Sequence, residues 1–280
     1  MKKIVFFDID GTLVDFSGVI PESTVAALKM ARRNGHKTFI CTGRSRNQLP
    51  EELKILEFDG YVAAAGAYVE CSGKEIFHHH MPVEDARKVW EFCRKENLVY
   101  MVQTKDEVLM EPDSRERFIG MLQERWNQSR EEVEKNISSE AESTPIAEKI
   151  EQIEKFCYHE CRYTVGETRQ ILGGHFDVTR MSFDKPDDFS GEITCRGVHK
   201  AFGMQKVLDY YGVDRKDCIA FGDGPNDFEM IEFAGTGVAM GNAVPELKET
   251  ANTVTDAVLE DGIWNAMVKL KLIEDQKGES

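Results

Sequence analysis

The stretch FFDIDGTLVD, residues 6–15, sets three aspartates within eight residues, directly behind an apolar run. Ile4, Val5, Phe6 and Phe7 read as a buried parallel strand, apolar on both faces. Carboxylates crowded at the end of such a strand repel one another. Removing them from water is costly unless a cation or a chemical task compensates. The fold therefore turns on what else converges on Asp8 and Asp10.

Downstream, Pro21 opens a helix carrying Val25, Leu28 and Ala31 on one side, which Gly35 closes. KTFIC (37–41) reads as a second strand ending at Thr42-Gly43-Arg44, and YVAAA (61–65) as a third. This alternation predicts a parallel sheet with helices on both faces. The rhythm breaks near Met81-Pro82. From 83 to 188 longer helices mix with short alternating strands: DARKVWEFCRKEN (85–97) is amphipathic, and Thr144-Pro145 opens a helix with Ile146, Ile150 and Ile153 on one face. Asp184–Asp188 reads as a turn or linker. The parallel rhythm then returns with a helix over 201–212, a strand over 218–223 and a helix over 227–235, and strand and helix go on alternating to a last helix at GIWNAMVKL. The expected fold class is α/β: a doubly wound, Rossmann-like parallel-sheet core (1–82 and 189–280) with a large inserted α+β cap (83–188).

The bulk numbers bound the function. At 280 residues, 41% hydrophobic and 30% charged, the chain has room for one large or two ordinary domains. A net charge of -15 argues against non-specific binding to nucleic acid or an anionic membrane. Seven scattered cysteines fit free thiols in a reducing compartment, and no segment is long and apolar enough to span a membrane, so a cytoplasmic location is expected. Oligomeric state, monomer or homodimer, is left open.

In a doubly wound sheet, ligands gather outside the carboxyl ends of the strands. DIDGT, TGR and GDGPND all fall at such ends. Asp8 and Asp10 would face Asp223 and Asp227 across one crevice, around a hard, oxygen-ligated cation, for which Mg2+ is best suited. Lys200, at the start of a helix, and Arg196 four residues earlier are candidate phosphate-binding cations. The Thr42 hydroxyl and the Gly43 backbone offer further donors.

DIDGT, TGR, Lys200 and GDGPND resemble the four ordered motifs of the haloacid dehalogenase superfamily. The tail GVAMGNAVPELKETANTVTDAVLEDG extends the likeness to the Cof-type branch (subfamily IIB), whose cap lies between the second and third motifs. The resemblance implies a Mg2+-dependent phosphatase of small phosphometabolites (sugar phosphates, nucleotides or phosphorylated cofactors), working through an aspartyl-phosphate. Asp8 would be the nucleophile and Asp10 the general acid and base. Gly11 would let the chain turn, and Thr12 would orient Asp10. Asp8, the Asp10 carbonyl and Asp223 would hold the metal, with Asp227 behind them. Lys200, Thr42, Gly43 and Asn226 would meet the phosphate. Arg44 would support the site by touching substrate, or simply be a solvated residue. A phosphomutase or phosphotransferase on the same intermediate, and a non-catalytic metabolite-binding regulator, are the alternative readings. His78-His79-His80 reads as a surface connector and not a metal site, because neighbouring residues of a strand point to opposite faces. Cys157 and Cys161 read as a helical pair of free thiols.

Overall fold

The structure, a computed structural model, describes residues 2–54, 56–136, 140–141, 145–181 and 188–275. Its strands are β1 (Ile4–Phe7), β2 (Lys37–Cys41), β3 (Gly60–Ala63), β4 (Tyr68–Cys71), β5 (Lys74–His78), β6 (Val99–Gln103) and β7 (Val108–Leu109). Then follow β8 (Glu140–Ala141), β9 (Lys155–His159), β10 (Phe176–Arg180), β11 (Gly191–Cys195), β12 (Cys218–Gly222), β13 (Thr236–Ala239) and β14 (Thr253–Val254).

Eight strands form the first sheet in the order β14-β13-β12-β1-β2-β3-β4-β5. From β14 across to β3 every pair is parallel; β4 and β5 add an antiparallel edge. The mixed edge departs from the all-parallel expectation. Its cause is local, since the short connections at 64–67 and at Ser72-Gly73 can join only antiparallel neighbours. β1 is buried on both faces because each face meets helices. Val5 and Phe7 pack with the helices Glu22–Arg33 and Gly262–Lys269. Ile4 and Phe6 pack with the helices Lys200–Tyr211 and Phe228–Phe233. The core is thus doubly wound, as the alternation implied.

The order also fixes the functional end. From β1 the chain winds outward through β2 and β3 on one side, and from β12 through β13 and β14 on the other. The reversal opens a crevice beyond the carboxyl ends of β1, β2 and β12.

The second sheet runs β10-β11-β9-β6-β7-β8, antiparallel except for β7 with β8. The helices Val83–Lys95 and Val165–Leu172 cover one face, and the helix Pro112–Trp126 the other. β11 corrects the expected return to the core at 189, because Gly191–Cys195 pairs with β9 and β10 of the second sheet. An apolar strand between two cap strands looks like any core strand in sequence, and only pairing tells them apart.

Smaller expectations also shift. Ile146–Gln152 is a 3-10 helix that still buries Ile146 and Ile150; Thr144 lies outside the described residues, as do 184–187 of the expected turn. Cys157 sits in β9 and not in a helix, while both it and Cys161 are buried cysteines. His78 ends β5 and pairs with buried Glu154 at 2.8 Å, so the histidine run is a connector tied to the second sheet. Among the described residues no helix is long and apolar enough to cross a membrane.

Candidate active site

β1 delivers Asp8 to the crevice, and the chain then turns sharply. Gly11 has φ +82°, a left-handed conformation that glycine adopts without strain. A Cβ there would stand 2.1 Å from Asp223 Oδ2, so glycine is also required for the two loops to meet. The Asn242 side chain donates to the Gly11 carbonyl at 2.7 Å, pinning this turn to the loop after β13. Sequence reasoning did not single out Asn242. Its signal lay unread inside the GNAVPE segment.

Asp8, Asp223 and Asp227 are buried and bring one carboxylate oxygen each within 4.8 Å of the others. Lys200 enters from the first residue of its helix and is itself only 1% exposed. Its Nζ donates to Asp8 Oδ1 and to Asp227 Oδ1, each at 2.6 Å. Asp227 Oδ2 accepts from the backbone N–H groups of Asp223 and Gly224, each at 2.9 Å. Asp227 is therefore a fully engaged anchor of the GDGPND loop, which suits it to a place behind the ligands.

The charges are not balanced by protein alone. Burial pushes the Asp8 carboxyl up to about 7, with Lys200 pulling it down and Asp227 and Asp10 pushing it further up. Burial, then Asp227 and Asp8, hold Asp223 well above the usual carboxylate range. Burial opposes the charge on Lys200, but Asp227 and Asp8 raise it well above the ordinary lysine value. One buried cation among three buried carboxylates leaves a negative deficit. Asp8 Oδ2 and Asp223 Oδ2 have no protein donor among the described residues, and oxygen donors of this kind fit a small hard cation.

Two expected roles are corrected. Thr12 donates to Asp223 Oδ1 at 3.0 Å, so it orients the metal-side carboxylate and not Asp10. Asp10 is instead gripped by Arg44, with Nε to Oδ2 at 2.9 Å and Nη2 to Oδ1 at 2.7 Å. Arg44 is half-exposed and spends its guanidinium on Asp10, so it is more than a solvated residue. Its bidentate fork holds the Asp10 carboxylate outside the Asp8–Asp223–Asp227 cluster.

The Thr42-Gly43-Arg44 turn follows β2. Thr42 is buried and its hydroxyl accepts from the Arg44 N–H at 3.1 Å. Ala65 N–H donates to the Thr42 carbonyl and Ala64 N–H to that of Arg44, with both alanines in left-handed backbone. Such backbone is uncommon outside glycine and braces this turn. Asn226 lies half-buried in the GDGPND loop. Arg196 is not brought in: it is exposed, and its guanidinium lies by Gly174 of the second sheet's side.

A doubly wound core with an acidic crevice at its switch point, a buried lysine and an inserted second domain defines a class of capped phosphoryl-transfer hydrolases. The family model for haloacid dehalogenase-like hydrolases matches residues 5–267, and the chain belongs to that family. It is a HAD-type phosphoric monoester hydrolase of the Cof branch. It is 34% identical over 277 residues to the Bacillus subtilis protein named "Putative phosphatase YkrA", covering 98% of this chain and 99% of that one. It is 28% identical over 266 residues to 5-amino-6-(5-phospho-D-ribitylamino)uracil phosphatase YitU of Bacillus subtilis, covering 93% and 94% of the two chains. Among solved structures, the phosphatase BT1666 from Bacteroides thetaiotaomicron superposes with a TM-score of 0.81 at 26% identity, covering 98% of this chain and 96% of that one.

Proposed function

We propose that this chain hydrolyses small, soluble phosphate monoesters in a Mg2+-dependent reaction through an aspartyl-phosphate on Asp8. The buried Asp8–Lys200–Asp227 triad beside Asp223 carries the reading. One buried ammonium and three buried carboxylates share one small volume, which supports reading them as a phosphoryl-binding cation, a nucleophile and metal ligands. Mg2+ held by Asp8 and Asp223 would neutralise charge on the phosphoryl oxygens.

The protein's own groups supply the rest. An Asp8 carboxylate oxygen forms a bond to phosphorus as the ester oxygen leaves. Lys200 faces the phosphoryl oxygens together with the Thr42 hydroxyl and the Gly43 N–H, which offsets the repulsion between anion and dianion. Asp10, released from Arg44 and protonated from solvent, gives that proton to the departing alkoxide. It then takes a proton from the water that attacks phosphorus, and the Asp8–phosphorus bond breaks to free inorganic phosphate. Thr12 and Asp227 are positioning residues, acting through Asp223 and Lys200. Asn226 is a further candidate for the phosphate. The second sheet, capping the crevice, excludes water and selects the leaving group. The chemistry named for YitU, removal of a phosphate from a ribityl chain, supports a small phosphometabolite as the substrate class.

Phosphate release from a panel of phosphorylated metabolites, with Mg2+ and with EDTA, tests the reading. Asp8→Asn is expected to abolish release while the fold is retained. Turnover that persists in Asp8→Asn, or in EDTA, would remove Asp8 or the metal from the mechanism.

A further inference from the structure

The second sheet brings its own charged pair to the crevice. Lys155 opens β9 and is fully buried, and its Nζ lies 2.7 Å from Glu192 Oε2 on β11. Glu192 itself is only 7% exposed. The pair sits directly over the Thr42-Gly43 turn. A Cβ on Gly43 would stand 2.9 Å from Glu192 Oε1 and 3.3 Å from Lys155 Nζ, so glycine at 43 is what allows this approach. Gln103, opposite Lys155 in the β6–β9 register and 3% exposed, shares that face of the sheet. Its Nε2 donates to Gln48 of the core at 2.8 Å.

These groups are incompletely satisfied. Beyond the ion pair, Lys155 Nζ has no hydrogen-bond partner among the described residues, and Gln103 Oε1 has none. An ammonium carries three N–H donors, so at least two are unmet, beside an amide oxygen and a carboxylate able to accept. Buried polar atoms without partners cost free energy, and such atoms facing a catalytic crevice are matched when a ligand supplies the missing bonds.

We infer that Lys155, Glu192 and Gln103 form the subsite that reads the leaving group, and that it takes a neutral, hydroxyl-bearing one. A hydroxyl both donates and accepts, which suits a mixed set of donors and acceptors. A second anionic group would meet the Glu192 carboxylate. An alkyl or aryl group would strand Lys155 and Gln103 unpaired and dry. The inference rests on the phosphatase reading above and adds the residues that choose among phosphate esters.

The test compares ribitol 5-phosphate with pentyl phosphate, which matches its carbon chain but lacks the hydroxyls, using the Mg2+-loaded full chain. The wild type is expected to prefer ribitol 5-phosphate. Lys155→Met and Glu192→Gln are each expected to lower kcat/KM for it by about 10-fold or more, the value of one hydrogen bond to a charged group. Turnover of pentyl phosphate should hold or rise, falling by no more than about 3-fold, well short of one such bond. Removing one member of a buried pair can unfold a protein, so the double variant Lys155→Met/Glu192→Gln, which removes both charges, is measured alongside with its melting temperature. Equal losses on both esters, no loss on either, or a wild type that favours pentyl phosphate would overturn the subsite. A wild type that releases phosphate from neither of these esters, nor from any member of the metabolite panel, would instead bring down the phosphatase reading and the subsite with it.

Discussion

Replacing Lys200 with methionine tests the electrostatic logic of the site most directly. The lysine is buried, and its Nζ contacts two buried carboxylates at 2.6 Å. Methionine fills similar space without charge, so the loss is electrostatic and not a cavity. Breaking one side of a buried ion pair typically costs about 3–5 kcal/mol, because the remaining charge has no partner. Here the remaining groups can take up a proton, which makes the cost depend on pH. The Lys200 pKa is raised above its unfolded value, so its contribution is fully present below pH 10.5 and constant between pH 6 and 8.5. Asp8 supplies the dependence. Its folded pKa is about 7 with Lys200 pulling it down, and it moves higher once that cation is gone. Above pH 7 the native variant then holds a proton that the native wild type has released. Above pH 7 the penalty should grow by about 1.4 kcal/mol per pH unit until the raised Asp8 pKa is passed, and below pH 7, with Asp8 protonated in both proteins, it should no longer change with pH. Urea unfolding in EDTA at pH 6 and pH 8.5, for wild type and Lys200→Met, reads this out. A destabilisation below about 1 kcal/mol at both pH values, against the buried-pair expectation, would refute the reasoning. So would a larger penalty at pH 6 than at pH 8.5.

Three further outcomes are expected. In wild type the raised Asp8 pKa stabilises the metal-free fold below about pH 4, and that contribution is lost as pH rises towards about 7. Mg2+ replaces the proton, so the gain in Tm from Mg2+ over EDTA should widen between pH 5 and pH 8; a constant gain would show that Asp8 does not bind the metal. Gly11→Ala forces a side chain into left-handed backbone and into Asp223 Oδ2, so Mg2+ affinity by calorimetry should fall about 10–100-fold. Affinity within a factor of about 2 of wild type, outside that range, would show that the two loops part without consequence. Thr12→Val leaves Asp223 Oδ1 without its donor and should cost about 1–3 kcal/mol in unfolding, with Thr12→Ser restoring most of it. Equal behaviour of the valine and serine variants would mean that the hydroxyl has no part in holding Asp223.

Much of this protein is legible from the chain alone. β1, β2 and β12 are short apolar runs, each ending in acidic or small polar residues, and a strand buried on both faces leaves few other residue types possible. Because ligands gather at strand ends of a doubly wound sheet, the same reading located Asp8, Thr42 and Asp223 in one crevice. The helix Lys200–Tyr211 was equally plain, and its first residue is the buried cation. These features are local, and local pattern suffices for them.

What the sequence could not decide are pairings across long separations. Thr12 lies two residues from Asp10 but serves Asp223, 211 residues away, because the Gly11 turn directs its hydroxyl across the crevice. Arg44 binds Asp10 through a fork whose direction depends on the braced turn at Ala64-Ala65. β11 reads as core until its hydrogen bonds place it beside β9. Lys155 and Glu192 give no sign in sequence of being partners, since each is an ordinary charged residue in an alternating strand. Only the packing of the second sheet over Gly43 removes their water and sets them beside the catalytic crevice. Sequence determines which groups a strand carries to its end; tertiary structure decides which distant group each one meets, because burial gives a charge its energetic weight and no local pattern encodes burial by a remote segment.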